Sequence, residues 1–368
     1  MVPKHVSRFP LLALGVLALL TGMWTGLLRL GWDLPLIRPG LAAYHGPLMV
    51  SGFLGTLINL ERAVALNRWW AYSAPVLTGL GALALIAGLP GVAGALLMTL
   101  GSGVASVIFG VIVGQQPAPH TVTMAIGAFV WLLGNLLWLA GWPIFMVVPW
   151  WIGFLILTIA GERLELSRVL QLSRWSLASY RAALGLFLSG AILSLAASAL
   201  GARLSGLGLV LLAFWLLRYD LARRTIRTTG LPRFIAVCLL SGYAWLGVAG
   251  ALGLRFGTLA AGPQYDAMLH ALFLGFVTAM IFGHAPVIFP AVLGARMPFY
   301  PAFYAHLILL HLSLILRVVG DLALWWPGRQ WGGLLNALTL VLFLVNTGRA
   351  ILTAPVKEAN RISRPQRL

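Results

Sequence analysis

The chain has 368 residues, of which 60% are hydrophobic and only 9% charged. A water-soluble domain carries roughly 25% charged residues, so this composition excludes one and points to a chain solvated on its outside by lipid. The net charge of +17 sits in short Lys and Arg clusters between apolar runs, a pattern of membrane topology that argues against nucleic-acid binding.

At ~20 residues per span and short connections, the length accommodates about twelve crossings. The first run, 9–31, follows Lys4 and Arg8. It is too long for the core of a signal peptide and lacks a clear small-residue cleavage site, so it reads as the first span. Further runs follow at 42–66, 71–90, 92–114, 119–140, 143–161, 180–200, 204–219, 232–254, 267–293, 300–325 and 331–352. Pro and Gly mark many joints, among them Pro35 and Pro39, Pro117 and Pro119, and Pro327 and Gly328. The expected fold class is all-α: one integral membrane domain over 1–368, closed by a short basic tail at 355–368.

Arginines are dense after even-numbered spans: Arg62 and Arg68, Arg163 to Arg181, Arg218 to Arg233, Arg296. They are sparse after odd-numbered ones, so both termini are expected in the cytoplasm of a multi-pass protein of the inner (cytoplasmic) membrane. Glu61-Arg62 and Glu162-Arg163 fall at inner ends of spans two and six and read as anchors snorkelling to the surface. The pairs Trp69-Trp70, Trp150-Trp151 and Trp325-Trp326 read as interfacial belts. The lone Cys238 can form no intrachain disulfide and cannot by itself supply a thiolate cluster.

Topology sorts the seven histidines. His5 belongs to the cytoplasmic N-terminal segment, and His120 to the inner end of span five. His284, His306 and His311 lie deeper, in spans ten and eleven. His45 and His270 fall near the outer ends of spans two and ten, at ~5–6 Å depth in each. Two neutral imidazoles at one depth on two helices suit the two axial positions of a haem. Gly46, Gly52, Gly55 and Gly275 supply small residues that leave room for a macrocycle. The plainer alternative is that each histidine only hydrogen-bonds a neighbouring helix. Arg317 and Asp321, at i and i+4 on span eleven, make either a local ion pair or, through Arg317, a partner for a haem propionate. Arg38 is a second propionate candidate. His284, His306 and His311 are secondary candidates for an inner metal, but His306 and His311 are ~140° apart around their helix, so separate packing roles are favoured.

The stretch Ala43-Tyr44-His45-Gly46-Pro47-Leu48-Met49 resembles the His-Gly-x-x-Met segment of helix two in subunit I of the haem–copper oxidases. The stretch HALFLGFVTAMIFGHAPVIFPAVLG, from His270 to Gly294, resembles helix ten of that subunit. Helix count and helix numbers agree as well. The resemblance is close over about fifty residues and implies an oxidase-like fold with one low-spin haem b held by His45 and His270. It also departs from the family. Met268 stands where the high-spin haem ligand would be, Trp142 where a copper histidine would be, and Met146 where the tyrosine would be. Trp supplies no metal-binding nitrogen, so copper has no support and oxygen reduction is not expected. Length and scattered membrane histidines are also similar to the NnrS-type membrane proteins, a family of twelve spans that contains haem and copper and is associated with nitric oxide and nitrite metabolism.

The resulting expectation is a haem b protein in electron transfer or nitric oxide metabolism, with membrane lipid around it and a respiratory redox partner at the outer face. The alternatives are a haem-delivery or assembly factor for respiratory complexes and a cofactor-free transporter. Enzymatic turnover is left open.

Overall fold

The computed structural model describes residues 8–353; Lys4, His5 and the basic tail at 355–368 lie outside the described residues. Among those described, twelve helices are long and apolar enough to cross a membrane. They are α1 (Phe9–Arg29), α2 (Leu41–Leu66), α3 (Trp69–Ala87), α4 (Gly91–Gln115), α5 (Pro119–Leu139), α6 (Ile144–Leu170), α7 (Arg174–Leu193), α8 (Ser198–Tyr219), α9 (Gly230–Phe256), α10 (Pro263–Leu293), α11 (Phe303–Leu322) and α12 (Trp326–Leu352). The described residues contain no strand. This follows from the solvent, since a lipid-exposed backbone must satisfy its own N–H and C=O groups within the segment.

Successive helices pack as neighbours through α3–α6, through α7–α9 and again between α11 and α12. Helix α1 lies on α2 and α3, and α10 lies on α9 and α11. The chain closes on itself where Gly55–Leu66 of α2 meets Ala279–Leu293 of α10. Helices α6 and α10 are the most deeply buried of the twelve. Helix α2 is π-helical over Leu48–Leu54 and α10 over Ala271–Thr278, and each of these wide turns begins within three residues of a histidine. Such turns interrupt α-helices most often at functional sites.

A buried polar hub holds the wide turn of α2. Ser51 donates to Asn135 Oδ1 at 3.3 Å and accepts from Trp131 Nε1 at 3.1 Å. Trp151 Nε1 donates to the same Asn135 oxygen at 2.9 Å, and Asn135 Nδ2 donates to Ser102 Oγ at 3.0 Å. Four helices are thus tied by side chains that have no water to turn to.

The structure corrects several boundaries. Helix α7 begins at Arg174 rather than 180, because Ser173 caps it by accepting from the Ser176 N–H at 3.2 Å. It ends at Leu193, well before the expected 200, and α8 starts again at Ser198. The intervening Ser-Leu-Ala-Ala run carries no charge to mark the turn. Helix α10 begins at Pro263 rather than 267: Gly262, at φ +100°, makes the entry and Pro263 takes the first turn, where a missing N–H costs nothing. Trp150 and Trp151 are not interfacial; they are buried, Trp151 completely, because α6 runs through the centre of the bundle. Trp142 is exposed and sits with Pro143 in the turn before α6, so the proline inside that helix is Pro149.

Candidate functional site

Two local devices bring His45 and His270 to the same end of the bundle. Gly40, in the left-handed region at φ +75°, turns the chain into a 3-10 turn over Leu41–Tyr44, and His45 follows at once. On α10, the start at Pro263 places Asp266 one helical turn before His270. The two imidazole ring centres are 6.4 Å apart, with their planes inclined by 30°.

Each ring is oriented by one hydrogen bond. His45 Nδ1–H donates to the carbonyl of Gly22 on α1 at 2.7 Å, and His270 Nδ1–H donates to the carbonyl of Asp266 at 2.9 Å. A carbonyl can only accept, so both rings carry their proton on Nδ1 when neutral, and Nε2 keeps its lone pair. Both histidines line a cavity of about 310 Å³ between α1, α2, α6, α10, α11 and α12. Its walls are mainly apolar, with Met49, Phe53, Trp151 and Phe273 among them, while Arg29, Arg317 and Arg329 face it together with a single carboxylate, Asp266. The site is therefore an apolar slot with a cationic rim and two imidazoles.

The room for the His45 ring comes from an unexpected glycine. Gly55 is filled by the Trp131 indole and Gly275 by that of Trp245, whereas Gly26 on α1 lies against the His45 ring. A Cβ at Gly26 would stand 2.9 Å from His45 Cε1. Gly26→Val is expected to push the ring off its position and abolish binding of any ligand that needs both imidazoles. Titration of that ligand into Gly26→Val and wild-type protein checks this; equal affinity would refute it.

Arg317 does line the cavity, but its carboxylate partner is not the expected one. Its guanidinium forks onto Asp266, with Nε to Oδ2 at 2.8 Å and Nη2 to Oδ1 at 3.1 Å. Asp321, fully buried, instead lies 2.9 Å from Nε of Arg329 in the first turn of α12. Gly320 allows this, because a Cβ there would run into the backbone of Arg329. Arg38 is elsewhere. It donates to the Leu85 carbonyl at the end of α3, at 3.1 and 2.5 Å, and to Pro39 O at 3.1 Å. Arg29 and Arg329 stand at the rim in its place, and nothing in their local sequence marks them.

The three deeper histidines have separate partners. Met280 O accepts from His284 Nδ1–H at 2.7 Å, and Arg163 Nη1 donates to His284 Nε2 at 3.3 Å. His306 Nδ1 accepts from Asn346 Nδ2 at 3.1 Å, and its ring is packed among Phe282, Phe303 and Phe343. His311 accepts from Trp245 Nε1 at 3.1 Å and donates to Ser241 Oγ at 2.9 Å. Among the described residues no group of three His, Cys, Asp or Glu side chains is gathered where it could hold a metal ion.

The acid–base pairs of spans two and six are not surface anchors. Arg62 pairs with Glu162 across the bundle, and Arg163 is buried in a bidentate pair with Asp220, Nε to Oδ2 at 2.8 Å and Nη2 to Oδ1 at 3.1 Å. Tyr243 OH donates to Asp220 Oδ2 at 3.0 Å, which completes a network joining α6, α9 and α10 to the residue after α8. These side chains face inward because the helices carrying them are internal.

No curated protein matches the sequence. A family model does match, over residues 8–351 and so over nearly all of the described chain. The chain belongs to the family described as a domain of unknown function (DUF8744).

Proposed function

We propose that the cavity holds one haem b, low-spin and bis-histidine, in a protein of oxidase-like fold that acts in electron transfer within respiratory or nitric oxide metabolism. One observation carries the reading: the 6.4 Å between the imidazole centres. An imidazole nitrogen bonds a metal at about 2.0–2.1 Å and lies ~1.1 Å from its ring centre, so two rings sharing one iron have centres roughly 6.3 Å apart. The donor set suits the group, because both Nδ1 positions already have acceptors and both Nε2 lone pairs are left for a metal.

When bound, the haem supplies reversible one-electron chemistry. His45 and His270 would hold the iron between them, and two such donors favour electron transfer over gas binding. Arg29 offers a guanidinium fork to a propionate, while Arg317 and Arg329, engaged by Asp266 and Asp321, add positive charge to the same rim. The apolar walls exclude water. The arginine distribution supports an arrangement with both termini in the cytoplasm of the inner membrane and the cavity toward the outer surface, where a redox partner would meet it.

An optical spectrum of the purified protein, oxidised and reduced, tests this. The expected result is a sharp b-type spectrum of a six-coordinate low-spin iron at about one haem per chain. Substoichiometric, readily exchanged haem would favour delivery of the cofactor over electron transfer. A colourless protein from haem-replete cells would overturn the reading.

A further inference from the structure

The two imidazoles are held unequally. His45 donates its ring N–H to a neutral backbone carbonyl, that of Gly22, at 2.7 Å. His270 donates to the carbonyl of Asp266 at 2.9 Å, and the same Nδ1 lies 3.3 Å from the Oδ1 of that residue's carboxylate. The carboxylate cannot swing away, because Arg317 grips both its oxygens and Arg329 Nη2 lies 3.8 Å from Oδ1. One ring of the pair therefore has a fixed anion at its N–H and the other has none.

We propose that Asp266 is a positioning residue that lowers the reduction potential of the haem through His270. This rests on the haem reading above and deepens it. A carboxylate close to the ring N–H draws the proton and pushes electron density onto the opposite nitrogen, which becomes a stronger donor to a metal. A stronger axial donor stabilises ferric over ferrous iron. Arg317 tempers the effect by sharing the charge and sets its direction by fixing the carboxylate. The redox step is the gain of one electron from an external one-electron donor, with no bond made or broken.

The test is a redox titration of the haem-loaded protein, followed by its optical spectrum. Asp266→Asn removes the charge while leaving the backbone carbonyl that orients His270. Its midpoint is expected to rise by about tenfold in the reduction equilibrium, about 59 mV for one electron, with the low-spin spectrum kept. Asp33→Asn is the control. That carboxylate is exposed in the connection after α1, at the same end of the bundle, and does not line the cavity, and its shift is expected to be clearly smaller. An unchanged midpoint in Asp266→Asn overturns the proposal. So do equal shifts in the two variants, which would mean bulk electrostatics rather than contact with the ring.

The wild-type protein gives a reading that needs no variant to fold. Proton NMR is expected to resolve two well-separated exchangeable ring N–H resonances, one for each axial histidine. Coincident resonances overturn the proposal even if the haem is present. A haem-free wild-type protein overturns the parent reading, and this one with it.

Discussion

If the cavity holds the proposed haem, His45→Ala and His270→Ala are each expected to remove its bis-imidazole spectrum, while His284→Ala, His306→Ala and His311→Ala are expected to leave it intact. The contrast follows from geometry. Among the described residues, only the first two rings lie 6.4 Å apart on one cavity; the other three are engaged with Arg163, Asn346 and Trp245. Loss of one axial donor is expected to weaken haem retention by a hundredfold or more, about 2.8 kcal/mol. Any haem that stays behind on the single remaining imidazole turns high-spin, so the readout separates binding from ligation. Persistence of a low-spin spectrum in either variant would mean that the iron takes its second ligand from elsewhere.

Arg163→Ala is expected to destabilise the protein by about 3–5 kcal/mol. Asp220 is fully buried and held by four donors: two from Arg163, one from Tyr243 and the Ala222 backbone N–H at 2.7 Å. Removing the guanidinium leaves an uncompensated anion in a medium without water, and takes from His284 Nε2 its donor at 3.3 Å. Replacing both partners, as Arg163→Met with Asp220→Leu, is expected to recover most of the loss, since an apolar pair of similar volume has no charge to desolvate. Thermal unfolding in detergent distinguishes these cases. A double variant no more stable than Arg163→Ala would show that the pair contributes more than charge neutralisation.

The arrangement of spans was legible because a lipid solvent leaves a strong compositional mark: twelve apolar runs, and twelve helices at nearly the same residues. Where no charge or proline marks a turn, as between Leu193 and Ser198, the boundary was read late. The pairing of His45 with His270 could be read from depth alone, because rise per residue is fixed. The partners of the charged residues could not. Arg317 had Asp321 on its own face one turn away, yet pairs with Asp266 from another helix. Periodicity within a helix cannot say which helix lies across the interface. Asp266 itself was hidden by a span start placed four residues late, although the Gly262-Pro263 entry signal stands in the sequence. Trp150 and Trp151, expected in an interfacial belt, stand seven and eight residues into the run 143–161, and rise per residue alone puts them ~10–12 Å deep, where the structure buries them.

The wide turns over Leu48–Leu54 and Ala271–Thr278 have a consequence for how length changes are tolerated near the cavity. A π-helical turn closes its hydrogen bonds one residue further along than an α-helical turn. Shortening such a segment by one residue lets it relax to ordinary α pitch, with the flanking residues kept in phase. The same deletion in a regular stretch would rotate everything beyond it by about 100°. Each histidine is therefore insulated from the phase of the stretch of helix that follows it, and α2 or α10 can lose one residue there without misaiming the ring.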